Sequence, residues 1–291
     1  MHPLEIVRLT ALMQRTSGRA EIVIGLIDGP VAIKHLDLAR SNIREISGNS
    51  CGSCRQASSA ACLHGTFVSG ILCARRGAPA PAICPSCTLL VRPIFAEMTP
   101  ENGQIPSATP DDLAAAIIDA VDAGARVLNI SAALVQTSSK GQRELEEAFN
   151  YAARRGVIPV VAAGNQGTIG STTMTRHPWV IPVIACDLQG RPMKYSNLGS
   201  SIGRRGLSAP GEAITSLGAE GEALTWSGTS VATPLVTGTI ALLWSEFPNA
   251  TAAEVRYAVT QASSLRRTTV VPPVLDAWSA YQTMLRARVR N

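Results

Sequence analysis

Short apolar segments alternate with helix-like segments along this chain, and that alternation limits its possible folds more than any other feature. The apolar segments lie at residues 21–27, 88–95, 127–131, 157–163 and 179–186. Continuous apolar runs that end at turn-forming residues are typical of strands covered on both faces of a parallel sheet. The pattern therefore predicts five buried strands.

The segments between these runs have helical spacing. One begins with Thr-Pro-Asp-Asp at residues 109–112, a cap followed by a proline and two acids in the first turn. Others are predicted at about 141–155, 231–243 and 252–262. Strands that alternate with helices predict an α/β fold, a doubly wound and mostly parallel sheet with helices on both faces. No segment rich in Pro, Gly or Ser divides the chain, so we expect a single domain over residues 1–291.

Composition excludes several classes of protein. The chain is 46% apolar and 16% charged, which suits a globular protein with a large core. No apolar run approaches the ~18 residues of a membrane span, and the first residues lack the pattern of a secretory signal. The net charge of +5 comes from scattered arginines rather than a basic patch. We therefore expect a cytoplasmic protein that binds neither a membrane nor a nucleic acid.

Three segments place reactive side chains where an open α/β sheet binds its ligands, at the carboxyl ends of its strands. Asp28 ends the first predicted strand, and His64 and Ser230 each open an apolar helix. A serine hydroxyl needs a base within hydrogen-bond reach, and the base needs a partner that fixes its tautomer. The chain order Asp, His, Ser supplies one residue for each role.

The surrounding motifs resemble those of the subtilisin-like serine proteases. GTSVATP is similar to the block around that family's nucleophile, which implies this role for Ser230. HGTFVSG resembles the block of the catalytic base, which implies His64, although Phe67 stands where the family has a second histidine. VVAAGNQG resembles the Ala-Gly-Asn segment and implies that Asn165 and the Ser230 N–H form an oxyanion hole. Asp28 then orients the base.

A further block, LNISAAL, is similar to the family's substrate-binding strand. The resemblance implies that Ser131, Ala132, Ala133 and Gly164 contact the substrate. The two alanines stand where the family has Leu and Gly, and we expect the added methyl group to narrow the first specificity pocket. The resemblance extends from about residue 21 to residue 282 and implies catalysis without a required cofactor.

Details at residues 28–31, 92–97 and 187–199 resemble the cyanobactin-type proteases that mature ribosomally made precursor peptides. This narrower resemblance implies a peptide or precursor-peptide substrate. Only 27 residues precede Asp28, so no prodomain is expected, and the lack of a helical insertion favours hydrolysis over ligation. Two alternatives remain open: a general intracellular subtilase for protein turnover, and an inactive peptide-binding or zinc-braced scaffold.

Seven cysteines are the unusual feature of the composition. Four of them form two CxxC motifs: Cys51, Cys54, Cys84 and Cys87. Such a set can bind a structural zinc ion, form one or two disulfides, or remain as free thiols, and the sequence does not choose among these.

The other cysteines and one acid carry separate expectations. Cys62 lies two residues before His64, so it is either a thiol lining the substrate cleft or a small loop residue. Cys73 and Cys186 fall in apolar runs and are predicted to be buried. Asp37 occupies the position of a calcium ligand in secreted relatives, but residues 74–79 add two arginines and no oxygen donors of the kind that calcium needs. We therefore expect Asp37 to be a surface or capping residue.

Overall fold

The computed structural model describes residues 2–39, 41–46, 53–97, 108–131, 141–261 and 269–290. The strands are β1 (Val23–Asp28), β2 (Asn42–Glu45), β3 (Thr88–Pro93), β4 (Val127–Ile130), β5 (Ile158–Ala162), β6 (Ile181–Cys186), β7 (Leu207–Pro210), β8 (Ile214–Leu217) and β9 (Ala223–Trp226). Seven of them form a parallel sheet with the order β2–β3–β1–β4–β5–β6–β7, and a separate antiparallel hairpin pairs β8 with β9.

Helices connect the strands and cover both faces of the sheet. They are α1 (Pro3–Ile6), α2 (Leu9–Arg15), α3 (Ala60–Cys73), α4 (Pro110–Asp122), α5 (Gln142–Arg154), α6 (Thr173–Arg176), α7 (Ser200–Arg205), α8 (Thr229–Glu246), α9 (Ala252–Gln261) and α10 (Ala277–Arg290). The predicted cap of α4 is confirmed, because the Thr109 hydroxyl accepts from the Asp112 N–H at 3.1 Å.

Two apolar cores lie on opposite faces of the sheet. Along β1, Ile24 and Leu26 face the core that contains α3 and α8, whereas Ile27 faces the core that contains α4 and α5. This alternation follows from the two-residue period of a strand. Helix α8 is buried along most of its length, so it lies inside the larger core and holds its first turn rigidly against the sheet.

The strand order reverses at β1, which has β3 on one side and β4 on the other. The connection from β1 runs toward β2, whereas the connection from its neighbour β4 runs the opposite way toward β5. A crevice forms between two such strands, beyond their carboxyl ends. Asp28 is the last residue of β1. The fold therefore places that carboxylate in the crevice where α/β proteins bind ligands.

The predicted doubly wound α/β fold is confirmed. All five predicted strands are present with ends shifted by at most two residues. Strands β2, β7, β8 and β9 were not predicted, because each has only four residues and β2 and β9 are largely exposed. Such short segments lack the apolar run that marks a buried strand.

Candidate active site

The side chains of Asp28, His64 and Ser230 form a continuous hydrogen-bonded row. His64 Nδ1 lies 2.6 Å from Asp28 Oδ1, and His64 Nε2 lies 3.0 Å from Ser230 Oγ. Because the carboxylate accepts hydrogen bonds, the imidazole proton resides on Nδ1 and leaves Nε2 as an acceptor for the serine hydroxyl. The three residues come from β1, α3 and α8, and the contact between His64 and Ser230 joins residues 166 positions apart in the chain.

Two glycines allow β1 and α3 to approach closely enough for this contact. A Cβ on Gly29 would lie 1.9 Å from the carbonyl oxygen of Ala61, and a Cβ on Gly65 would lie 2.4 Å from the carbonyl oxygen of Pro30. The chain after Asp28 thus packs backbone against backbone on the first turns of α3. The glycine that follows His64 in the HGT motif is required by this packing.

The carboxylate of Asp28 is completely buried. Its Oδ1 also accepts from the Gly29 N–H at 2.6 Å, whereas Oδ2 has no hydrogen-bond partner among the described residues. Burial lowers the pKa of His64, but the charge of Asp28 and its hydrogen bond act more strongly in sum, and the pKa of His64 lies above its ordinary value of 6.5. Asp28 therefore stabilises the protonated imidazole.

The indole of Trp226 packs against the imidazole of His64 and also against the ring of Phe67. Trp226, at the end of β9, stacks on His64 with ring centroids 5.9 Å apart, and on Phe67 at 4.7 Å. Phe67 is fully buried. The departure from the family motif at this position thus creates an aromatic stack, which the sequence did not predict because Trp226 lies 159 positions further along the chain.

Asn165 lies beside Ser230 at the start of α8. Its Oδ1 accepts from the Thr229 N–H at 2.9 Å and from the Thr229 hydroxyl at 3.0 Å. Because both Thr229 groups donate, the amide oxygen of Asn165 must face them. The amide nitrogen, Nδ2, is then the end of the side chain that can donate to a substrate. A Cβ on Gly228 would lie 3.3 Å from Asn165 Nδ2 and 3.5 Å from Ser230 Oγ. Glycine therefore leaves open the space between the amide donor and the serine oxygen.

The backbone N–H of Ser230 is a second hydrogen-bond donor beside Asn165 Nδ2. Ser230 is the second residue of α8, and N–H groups in the first turn of a helix have no acceptor within the helix. The positive end of the helix dipole reinforces this effect. The space beside Ser230 is thus suited to hold a developing negative charge on oxygen.

A buried polar network attaches the end of β4 to α8. Asn129 donates from Nδ2 to the Ser131 hydroxyl at 2.8 Å and accepts from the Thr237 hydroxyl at 2.9 Å. The Ser131 hydroxyl in turn donates to the carbonyl oxygen of Ser230 at 3.4 Å. Ser131 is thus placed next to Ser230, and its contact with substrate stays a prediction.

The remaining residues of the predicted substrate strand are only partly described. Gly164 is buried and precedes Asn165 with φ +103°. Ala132 and Ala133 lie outside the described residues. The narrowing of the first specificity pocket by their methyl groups therefore stays a prediction. Glu97, the last described residue before the gap at 98–107, accepts from the N–H groups of Arg55 and Gln56 at 2.9 Å.

The structure corrects the prediction for Cys62. Cys54 forms a disulfide with Cys62 across eight positions of sequence. Cys62 is thus neither a free thiol in the cleft nor a loop residue, because it lies in the first turn of α3. For Cys54 a disulfide was one of the alternatives that the sequence left open, but its partner lies outside the two CxxC motifs because the fold brings Cys54 to the start of α3.

The second CxxC motif lies elsewhere, in the core beneath α3. Cys84 and Cys87 are free and fully buried, and the described Cys54 does not join them. Hydrogen bonds to Cys73 and Cys87, followed by burial, raise the pKa of Cys84 well above its ordinary value. Cys54 is bound in the disulfide with Cys62 and has no thiolate to offer zinc, so the four-cysteine zinc site, one of the alternatives that the sequence left open, is not supported; Cys51 lies outside the described residues.

Among the described residues, one group of possible metal ligands lies close together, formed by Cys54, Cys62 and Glu97. Its two sulfur atoms are joined in the disulfide, so neither is a thiolate, and the donor set does not fit zinc.

The predicted burial of Cys73 and Cys186 is confirmed.

Across the described ranges, no helix has the length and apolar character needed to cross a membrane.

Asp37 has a cationic partner. Its carboxylate pairs with the Arg75 guanidinium, and its carbonyl oxygen accepts from the Arg75 N–H at 2.9 Å. Arg75 belongs to the segment in which the sequence lacked oxygen donors for calcium. The structure thus gives Asp37 an ion pair within the chain.

Comparisons with known proteins agree with this geometry. The sequence matches the Subtilase family over residues 19–279, so the chain belongs to the subtilase family of serine proteases. It is 31% identical to the thermostable alkaline protease of Halalkalibacterium halodurans over 202 residues, which cover 69% of this chain and 52% of that protein. The chain spans about half the length of the first curated relatives that it matches.

Solved structures give a more specific likeness. A variant of the protease domain of PatA superposes with a TM-score of 0.83 at 30% identity, covering 93% of this chain and 97% of that one. The prenylagaramide maturation protease PagA superposes with a TM-score of 0.80 at 26% identity, covering 94% and 98%. The expected resemblance to subtilisin-like proteases, and within them to precursor-peptide maturation proteases, is confirmed.

Proposed function

We propose that this chain is a serine endopeptidase that hydrolyses peptide bonds with Ser230 as the nucleophile. The observation that carries the proposal is the hydrogen-bonded row in which His64 lies 2.6 Å from Asp28 and 3.0 Å from Ser230. These distances fit direct proton transfer between hydroxyl and imidazole. The pKa of His64, raised by Asp28 despite burial, supports an imidazole that takes up a proton as the serine attacks.

The reaction follows from these positions. Ser230 Oγ attacks the peptide carbonyl carbon while its proton passes to His64 Nε2, and Asp28 stabilises the imidazolium that results. The carbonyl oxygen becomes negative in the space between Asn165 Nδ2 and the Ser230 N–H. His64 then returns the proton to the leaving amine, which frees the amine and leaves an acyl-enzyme. Water, deprotonated by His64, hydrolyses the ester and restores Ser230.

We further propose that the substrate is a ribosomally made precursor peptide bound in an extended form. Support comes from the likeness to PatA and PagA, the latter described as a maturation protease, and from the position of Ser131, which follows β4 and hydrogen-bonds to the carbonyl oxygen of Ser230. General protein turnover is the second candidate, which the similarity to an alkaline protease favours.

A fluorophosphonate probe tests the activity itself. The wild-type protein is expected to be labelled on Ser230, and Ser230→Ala is expected to lose the label. Ser227→Ala is a matched control, since it removes a nearby exposed hydroxyl and should retain labelling. An unlabelled, folded wild-type protein would contradict the protease proposal and favour an inactive peptide-binding scaffold.

The two substrate candidates are separated by cleavage mapping. The protein is incubated with casein and with candidate precursor peptides, and mass spectrometry identifies the products. Cleavage at one site of a precursor, with casein left nearly intact, supports maturation. Rapid cleavage of casein at many sites supports turnover instead.

A further inference from the structure

Asn197 attaches its side chain to the segment that carries the oxyanion residue. Its Oδ1 accepts from the N–H groups of Gln166 and Thr168 and from the Thr168 hydroxyl, each at 3.1 Å. Its Nδ2 donates to the Ala163 carbonyl at 3.1 Å and to Gln166 Oε1 at 2.7 Å. All five hydrogen bonds go to residues on either side of Asn165 in the chain.

Main-chain contacts continue the same attachment. The Asn197 N–H donates to the Gly164 carbonyl at 3.0 Å, and the Leu198 N–H donates to the Thr168 carbonyl at 2.9 Å. The Gly167 N–H donates back to the Tyr195 carbonyl at 2.7 Å. The loop after β5 is thus held along its length by the segment before α7.

The contact is too close for any side chain at residue 164. A Cβ on Gly164 would lie 2.4 Å from Asn197 Nδ2, and its φ of +103° is a conformation that side chains disfavour. The glycine immediately before Asn165 therefore allows the amide of Asn197 to pack directly against the backbone. This places the Asn197 amide next to the peptide unit from which the Asn165 side chain extends.

The side chain of Asn165 itself is exposed. Its Oδ1 is held by Thr229, but these two bonds fix only the far end of the side chain. The position of its backbone depends on the loop, and the loop is held by Asn197. An oxyanion donor acts only if it is fixed within a few tenths of an ångström, because misplacement by about 1 Å can reduce the rate 10²-fold.

We propose that Asn197 is a positioning residue for the oxyanion hole, which fixes Asn165 without touching the substrate. The inference rests on the proposed serine protease function. It predicts that the contribution of Asn197 to the rate passes through Asn165. The two residues should therefore behave as one unit when both are substituted.

A double-mutant cycle tests this prediction. kcat and KM are measured for the wild-type protein, Asn197→Ala, Asn165→Ala and the double variant, with the peptide that the wild type cleaves fastest. Asn197→Ala is expected to lower kcat about 10- to 100-fold with KM changed less than about twofold. In the Asn165→Ala background the same substitution should lower kcat by less than about twofold.

Further variants keep the test independent of folding. Asn197→Asp retains the three bonds at Oδ1 but turns an acceptor toward the Ala163 carbonyl, so its kcat should fall as well. Asn249→Ala, an exposed asparagine beyond the far end of α8, should keep the wild-type kcat. Thermal unfolding of each variant checks the fold.

The outcomes are distinct. An equal loss of kcat in both backgrounds, or a rise in KM with kcat unchanged, would overturn the role of Asn197. A wild-type protein that neither cleaves peptides nor reacts with the fluorophosphonate would instead overturn the proposed function.

Discussion

The indole of Trp226 lies almost parallel to the imidazole of His64, with 21° between the ring planes and 5.9 Å between their centroids. The same indole stacks on Phe67. Trp226 therefore limits the rotation of the histidine ring and its contact with water. Phe67, which stands where the family motif has a second histidine, thus becomes part of the packing around His64 through Trp226.

Trp226→Ala is expected to reduce both stability and activity. It removes two ring pairs worth about 0.5–1.5 kcal/mol each, so we expect a loss of about 1–2 kcal/mol for this half-buried residue. Freed from its cover, His64 should sample unproductive orientations, and kcat/KM should fall. Trp278→Ala is the control, since it breaks a similar stack with Tyr281 and should lower Tm alone. Unchanged kcat/KM in Trp226→Ala would contradict the prediction.

The activity is expected to depend on pH through His64. Only the neutral imidazole accepts the serine proton, and Asp28 holds the pKa of His64 above 6.5. kcat/KM should therefore rise with pH and reach half its maximum above pH 6.5. Asp28→Asn removes the charge that raises this pKa and leaves the burial that lowers it.

In Asp28→Asn the midpoint should move below that of the wild type, while kcat falls about 10⁴-fold. A pH profile of kcat/KM for both proteins measures these effects. A wild-type midpoint at or below 6.5, or a midpoint that does not move in the variant, would argue against this role of Asp28.

Asn165→Ala is expected to lower kcat about 10²–10³-fold with little effect on KM, because the donor acts mainly on the transition state. Thr229→Val provides a companion measurement, since it removes the hydroxyl that orients the amide but keeps the N–H bond. Thr229→Val should therefore lower kcat less than Asn165→Ala does. A rise in KM with kcat unchanged in Asn165→Ala would contradict the role of Asn165 as a donor to the transition state.

The Cys54–Cys62 disulfide is expected to stabilise the segment that leads into α3. Closing a loop of this length is worth about 2–3 kcal/mol in the chain-entropy description. A dithiol reductant should therefore lower the Tm of the wild type. The Cys54→Ser/Cys62→Ser double variant should unfold at this lower temperature with or without reductant. Equal Tm values for the oxidised and reduced wild type would refute the prediction.

Gly164→Ala is expected to lower kcat, whereas Gly124→Ala, at a glycine with a similar backbone conformation, is expected to leave kcat unchanged. Gly124 has a similar φ of +92°, but a Cβ there would meet nothing within 4 Å, whereas at Gly164 it would meet Asn197. Both alanine variants should lose about 1–2 kcal/mol of stability from the left-handed conformation. Only Gly164→Ala should also lower kcat. Equal kinetics in the two variants would show that the contact with Asn197 is unimportant.

The sequence predicted five of the nine described strands, the start of α4 at Thr109 and the set of Asp28, His64 and Ser230, because these depend on local pattern and on motifs that the chain shares with its family. It did not reveal Asn197 or Trp226. Both residues make their contacts between segments far apart in the chain. Asn197 lies in the segment 187–199 that carries the narrower resemblance, but that resemblance gave it no role, and no motif marks Trp226. The partner of Cys54 was missed for the same reason.

The central position of β1 has a consequence for how the protein is made. Strand β1 leaves the ribosome before its two neighbours, β3 and β4, which follow some 60 and 100 positions later, and Ser230 follows later still. Contacts this distant in sequence form slowly and late in folding. The pairing of His64 with Ser230 cannot exist in a nascent chain that lacks α8. A partly synthesised copy that lacks α8 therefore lacks this pair while it is still attached to the ribosome, so the proposed activity can begin only after α8 has been made.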